Sequence, residues 1–354
     1  MNFLALETPS GPVAVSIVLA PDGTAASRGP HYLCLVRTGR GSQQTTRGVA
    51  QIPVPFFRRL FGLGPSTDAL LRGLVSTPLP AGALRLNRHP QLPRALISME
   101  ERQVIHNYKF GLLYARAGQD TEAELLANAD PEYHTPTTPG APAPLPVSEA
   151  YRQFLAWLGD RVTLKGWTGY RGGLDVVDNL TGRESVYALW QGYDIMFHVA
   201  TMLPLIDQAT GAGDQAAIAG GYVQQLERKR HIGNDIVVIV FQDADTLPGA
   251  LPFNLDSVDS KQNHVFVSVT PVPRNPNDPP GTPDYYRVTL ARKSGVPGFG
   301  PPLPIKVSRD ADGRNWFLYK LISAERASYK APSFAPKLAR TRQVLLHDVV
   351  KTHM

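Results

Sequence analysis

Apolar and polar positions alternate with period two in the first part of the chain, from Val13 to Arg47. There "PVAVSIVLA" and "HYLCLVR" read as β-strands and "PDG" between them as a turn. The pattern then shifts to helical spacing. "PFFRRLFGL" and "STDALLRGLV" predict short helices, the second with a Ser or Thr cap and Leu70, Leu71 and Leu74 on one face. Residues 1–104 thus predict a small α+β domain that contains no catalytic constellation, which suits support or association.

A second region, residues 105–354, predicts an α/β domain with a mixed sheet flanked by helices. Its first strand spans Phe110 to Tyr114, and Thr121 with Glu124 then has the spacing of a capping box before Leu125 and Leu126. Tyr151, Phe154, Leu155 and Leu158 recur at i, i+3, i+4 and i+7, with Ser148 as cap and Gly159 as stop. Strands follow at "ESVYALW" and at "DIMFHVATML", where Ile195, Phe197 and Val199 share a face. The unbroken apolar run Ile236 to Phe241 predicts a strand buried on both sides. "NHVFVSVTPV" and "YYRVTLA" add two more, and a helix from about Ala335 to Val350 closes the region.

The segment 131–146 holds six prolines and few large apolar residues, so it predicts an extended loop, either a spacer or a PxxP ligand for an SH3-type module. Composition narrows the class further. With 43% hydrophobic and 19% charged residues in 354, the chain is an ordinary globular one with material for a substantial core. Cys34 is the only cysteine, which excludes an internal disulfide and a CxxC zinc pair and suits a reducing, cytoplasmic setting. The nine histidines show no metal-ligand spacing, so no metal site is expected. The N-terminus lacks the basic start and apolar run of a signal peptide. No window reaches the roughly 18 to 20 apolar residues that cross a bilayer. A net charge of +6 favours an acidic partner, but without an RRM, KH or helix-turn-helix pattern nucleic acid is not expected.

Glycine-rich stretches at "LKGWTGYRGGLD" and "GFGPPLP" fit neither a Walker A loop nor GxGxxG, so they read as tight turns and close backbone packing. No GxSxG elbow is present, and Cys34 has no activating neighbour in the sequence. The densest cluster of chemistry is "QQLERKRHIGNDIVVIVFQD", residues 224–243. Val223, Leu226 and Ile232 supply an apolar helix face and leave Arg228, Lys229 and Arg230 at or near the surface. Two readings stay open: a solvated basic helix end, or a cationic grip on an acidic partner, which the helix dipole reinforces. His231 and Asp235 read as a salt-bridged or surface pair rather than an acid/base pair, since Gly233 lies between them. Asn234 reads as a helix-stop or turn residue.

This stretch closely resembles the signature of the Rap GTPase-activating protein (RapGAP) catalytic domain. Further blocks match in family order: "YKFGLLYARAGQ", "GYRGGLDVVDNLTGRESVYALW", "YDIMFHVATMLP", "VPGFGPPLP" and "LISAERASYKAPSFA". Together they span residues 107–350. The resemblance implies a G-domain-like topology and an activity exerted on a Rap-type small GTPase. Such a protein needs no cofactor of its own, because GTP and Mg²⁺ come with the partner. Instead of an arginine finger, the family inserts an asparagine thumb that orients the attacking water, and by the motif that residue is Asn234. His231 occupies the position that helps to build the thumb segment. Lys229, Arg230, Lys109 and Gln119 match positions associated with GTPase engagement or turnover, and Arg228 is a further candidate for binding.

Residues 1–104 also resemble the dimerisation domain that precedes the family's catalytic domain, which implies a homodimer. Membrane contact is then expected only through the lipidated GTPase. The long proline-rich insert, the extended approach 206–222 and the segment "LDSVDSKQNHVFV" depart from the family pattern and leave Rheb or Ral as alternatives to Rap. A scaffold that binds a GTPase without accelerating it is the reading from another class.

Overall fold

The computed structural model describes residues 1–20, 30–76, 79–80, 82–119, 121–134, 143–205, 224–243, 258, 260–274, 277, 279 and 284–354, with the side chains of 224–227 left aside. The "PDG" turn, residues 135–142 of the proline-rich loop and the approach 206–222 lie outside the described residues, as do the Val223 and Leu226 side chains. Contacts divide the chain into two units, Met1–Val104 with Ser333–Met354, and Ile105–Pro332.

In the first unit β1 (Asn2–Ala5), β2 (Val13–Ala20), β3 (His31–Thr38), β4 (Gly41–Gly48) and β5 (Arg85–Asn87) form an antiparallel sheet in the order β4-β3-β2-β1-β5. Because successive strand residues point to opposite faces, β1 and β2 feed two cores. Phe3, Val13, Val15 and Ile17 join Cys34 and Val36 on one face, while Leu4 and Ala14 serve the other. Burial pushes the Cys34 thiol up to about 11, so it is an inert core residue. Helix α1 (Phe56–Leu60) precedes α2 (Thr67–Leu74), whose N-terminus is capped by Ser66 accepting from the Ala69 N–H. Leu70 and Leu74 of α2 are buried, while Leu71 is only half-buried. Helix α3 (Leu92–Glu101) covers the other face with Leu92, Leu96 and Met99.

Among the described residues the second unit is built on an eight-stranded sheet whose strands are β6 (Asn107–Ala115), β7 (Asp160–Thr163), β8 (Glu184–Trp190), β9 (Tyr193–Val199), β10 (Val237–Gln242), β11 (Val265–Val272), β12 (Tyr285–Arg292) and β13 (Val307–Ser308). The order is β13-β12-β11-β10-β6-β9-β8-β7, with β11, β10, β6 and β9 mutually parallel and the outer pairings antiparallel. Val237, Ile239 and Phe241 of β10 point into one core and Val238 and Val240 into the other, which explains the unbroken apolar run.

Helix α4 (Glu122–Ala127), with both halves of its Thr121–Glu124 capping box formed, brings Leu125 and Leu126 to one face of this sheet. On the opposite face lie α5 (Glu149–Leu158), with its Ser148 cap and Tyr151, Phe154, Leu155 and Leu158 buried, and α7 (Ala311–Ser328). Phe154 stands edge-on to Tyr286 at 5.3 Å and to Phe317 at 6.0 Å. Such pairs add about 0.5–1.5 kcal/mol each beyond their burial. Helix α6 (Gln224–Ile232) leads into β10.

One expectation is corrected, and one helix is new. The helix α8 (Ala335–His353) does not end the second domain, which was read as 105–354, but packs in the first unit. Its Leu346 and Val350 complete the core of Leu4, Ala14, Leu92, Leu96 and Met99, and its Arg342 grips Glu100 at 2.8 Å. Helix α7, 18 residues long, has no counterpart among the elements read from sequence. It buries polar Lys320, Glu325 and Ser328 beside Phe317, Leu318, Leu321 and Ile322, so its apolar stripe is blurred.

Candidate functional site

The end of α6 and the turn into β10 bring Lys109, His231 and Asn234 together at the amino ends of the parallel strands. Gly233 makes the turn possible: its N–H donates to the Lys229 carbonyl at 2.7 Å, and a Cβ there would lie 2.5 Å from the same oxygen. Asn234 follows, exposed, with its N–H donated to His231 O at 3.1 Å and its Nδ2 to Arg230 O at 2.6 Å. The amide thereby caps the last turn of α6. With one N–H engaged, the carboxamide keeps a second N–H and Oδ1, a donor and an acceptor on one rigid group.

The remaining carbonyls of this turn are held by side chains from other elements. Asn263 Nδ2, fully buried, donates to Ile232 O and Asp235 O. Ser260 Oγ donates to Gly233 O at 2.7 Å, and Lys109 Nζ, on β6, to Asn234 O at 3.3 Å. Each carbonyl from Ile232 to Asp235 therefore accepts a side-chain hydrogen bond. An exposed turn so tied has little freedom to reorient.

Beneath it lies a buried charge network. Asp235, 0% exposed, places Oδ2 2.8 Å from His198 Nδ1, and Lys109 Nζ stands 3.2 Å from its Oδ1 as an ion pair. His198 Nε2 meets Gly172 O at 3.1 Å, so both ring nitrogens have an oxygen within hydrogen-bond distance. Gly172 approaches at φ +62°, where a Cβ would stand 3.1 Å from Met196 Cβ and 3.2 Å from His198 Nε2. One of the glycine-rich stretches thus provides close packing under the site. Gly111 has the same use on β6, since a Cβ would come within 3.1 Å of Asp235 Oδ2. Glu325 of α7 borders the network. Burial, with Asp235 adding to it, pushes its carboxyl up to about 7 against the opposing Tyr329 hydroxyl and Lys109 charge.

The predicted residues separate into groups. Lys109, Asn234 and the His231 segment come together; the His231 ring lies 5.2 Å from that of His198 at 74°. Lys229 is half exposed at 42% and paired with Glu122 at 2.7 Å, and Arg230 is exposed. Arg228 overturns the expectation of a surface cation. It is fully buried, and its guanidinium donates to the carbonyls of Leu126, Asn128, Leu203 and Pro204, tying the C-terminal end of α4 to α6. Burial lowers its pKa to about 10, and the adjacent charge helps hold His134 down near 4 after burial.

Gln119 is spent inside the connection between β6 and α4. Its Oε1 accepts from Asn128 Nδ2 and the Arg116 N–H, and its Nε2 donates to Asn128 Oδ1. His198, Ser260 and Asn263 were not identified from the sequence. A lone histidine on the face of β9 opposite Ile195, Phe197 and Val199 was the only available signal. A cavity of about 360 Å³ lined by Asp130, Arg152, Arg161, Val186 and Thr201, among others, includes none of the predicted site residues.

The chain as a whole is similar to known proteins. The Rap/ran-GAP family model matches residues 145–343. GTPase-activating Rap/Ran-GAP domain-like protein 3 of Mus musculus is 38% identical over 364 residues, covering 100% of this chain and 29% of the relative. Signal-induced proliferation-associated 1-like protein 3 of Homo sapiens is 33% identical over 356 residues, covering 99% of this chain and 18% of the relative. The chain therefore spans less than a third of either curated relative. A solved structure titled "Structure of the TSC2 GAP domain" aligns at 28% identity and a TM-score of 0.45, over 66% of this chain and 99% of that one.

Proposed function

This chain belongs to the Rap/ran-GAP family, and on that membership we propose that it is a GTPase-activating protein that stimulates GTP hydrolysis by a Rap-type small GTPase, with Asn234 as its thumb. The observation that carries the mechanism is the pairing of an exposed Asn234 carboxamide with a turn tied down at each carbonyl from Ile232 to Asp235. A water-orienting group needs a donor and an acceptor in fixed relation and no change of protonation. The free N–H and Oδ1 of Asn234 meet that need.

In this reading Asn234 enters the nucleotide site of the docked GTPase, which brings the GTP and Mg²⁺. Oδ1 accepts a hydrogen bond from the attacking water and aims its lone pair at the γ-phosphate. Lys109, Asp235 and His198 hold the backbone that carries the amide. His231 lies in the last turn of α6 and orients the segment. The outer rim is cationic through Arg230 and the half-exposed Lys229, which suits an acidic GTPase face.

Acceleration by such activators reaches about 10⁵-fold, or roughly 7 kcal/mol. One hydrogen bond supplies about 1–3 kcal/mol, so docking must also exclude bulk water and align the GTPase's own groups. Homodimerisation through residues 1–104 belongs to the same proposal, and light scattering on the purified chain tests it.

The deciding experiment is single-turnover GTP hydrolysis on purified Rap, Rheb and Ral, with wild type and Asn234→Ala side by side. Strong acceleration of Rap by wild type and none by the variant is the expected result. Equal acceleration by both proteins rejects the thumb, and binding without turnover by wild type makes the chain a scaffold.

A further inference from the structure

The first unit carries an apolar surface that the hydrolysis mechanism itself does not use. In and just after α1, Phe56, Phe57, Leu60, Phe61 and Leu63 are each between 51% and 76% exposed, and no residue of the helix is buried. Single exposed apolar side chains are ordinary on a protein surface. Five large ones within eight consecutive positions are not.

Two arginines interrupt this run. Arg58, partly buried, donates to Gly64 O at 2.9 Å, and Arg59 is exposed. The surrounding sequence is equally one-sided: residues 23–67 contain Arg28, Arg37, Arg40, Arg47, Arg58 and Arg59 and not one Asp or Glu. Arg37 is buried and pairs with Glu100, but Arg40 and Arg47 are exposed like Arg59. The segment Phe56–Leu63 is therefore aromatic and aliphatic, with two arginines and no carboxylate of its own.

That combination selects among occupants. A second copy of the chain, paired patch to patch about a two-fold axis, would offer Arg58 and Arg59 no acidic counterpart, since the stretch holds none. An anionic lipid leaflet meets both demands at once. It admits projecting apolar side chains without a preformed groove, and it places phosphate and carboxylate headgroups at the depth where guanidinium groups come to rest. We propose that Phe56–Leu63 is a membrane-docking surface for anionic phospholipid. Phe56, Phe57, Leu60, Phe61 and Leu63 enter the boundary of the acyl region, and Arg58 and Arg59 engage headgroup phosphates. This contact is direct, in addition to any made through a lipidated GTPase, and it does not rest on the activator reading.

Sedimentation of the purified chain with vesicles tests it, with no GTPase present. The vesicles are phosphatidylcholine alone, or phosphatidylcholine mixed with phosphatidylserine. The wild type is expected to sediment with the mixed vesicles and not with the neutral ones. Phe57→Ser/Phe61→Ser and Arg58→Glu/Arg59→Glu should each lower the bound fraction about tenfold. Both variants should unfold at the wild-type temperature, since none of the four residues is buried. Wild type that ignores the mixed vesicles, or variants that bind as wild type does, overturn the proposal. A wild-type dimer that becomes monomeric with Phe57→Ser/Phe61→Ser, without vesicle binding, overturns it in favour of a second copy.

Discussion

Lys109 Nζ donates to the carbonyl oxygen of Asn234, a residue 125 positions further along the chain, and also pairs with Asp235 Oδ1 at 3.2 Å. One ammonium thus fastens the exposed turn to the central sheet. Lys109→Met keeps the stem and removes the charge. It should slow stimulated GTP hydrolysis by on the order of tenfold to a hundredfold, because loosening a positioned group by an ångström has that scale of effect. Single-turnover rates at saturating activator should show the loss in the maximal rate. A change confined to affinity would make Lys109 a docking residue instead.

Asp235 gives a stability prediction. Asp235→Asn leaves the buried His198 and the half-buried Lys109 without their carboxylate, and should cost about 3–5 kcal/mol in urea unfolding. The double variant Lys109→Met/Asp235→Asn should cost less than the sum of the two changes, as members of one network do. Strict additivity would argue that the ion pair is energetically idle.

Arg228 and Lys229 are neighbours in sequence with opposite fates. Arg228→Lys cannot reproduce a planar fork that reaches several carbonyls, so it should destabilise the fold by about 2–4 kcal/mol. Lys229→Ala, which breaks a partly exposed pair, should leave stability within about 0.5 kcal/mol. It should instead slow association with the GTPase in a salt-dependent manner, readable by stopped-flow.

Glu325 predicts a pH dependence of stability. Its carboxyl is raised from 4.5 to about 7, so between these values the folded state holds a proton that the unfolded state has released. Stability from this group should therefore fall as pH rises through that window, by ~3 kcal/mol in all. Glu325→Gln should remove this slope and be the more stable protein at pH 8, as thermal unfolding between pH 5 and pH 8 would show. A parallel slope in both proteins would reject the assignment.

Legibility from sequence followed the range of the forces involved. Ser66, Thr121 and Ser148 are local caps, each satisfying a helix N–H within three residues, and their helices begin where the sequence places them. Helix α7 was missed because its burial on several sides mixes Lys320 and Glu325 with apolar residues. Lys320 is acceptable there only because the carbonyls of Phe299 and Pro301 receive its ammonium. Arg228 was misplaced for the same reason: a guanidinium looks like surface until the carbonyls that surround it are known.

What the sequence alone determined, then, is the set of local decisions: strand alternation, caps, the buried character of β10 and, through its motif, the candidacy of Asn234. The tertiary structure decided which charges face solvent and which are interior. Lys109, His198, Asp235 and Asn263 lie on separate strands or loops, and only the register of β6, β9 and β10 brings them beneath one turn. It also decided that α8 belongs with the first unit, because Leu346 and Val350 fit a core made by residues more than two hundred positions earlier. Burial of a polar group is favourable only when its partners are in place, and those partners come from distant segments of the chain.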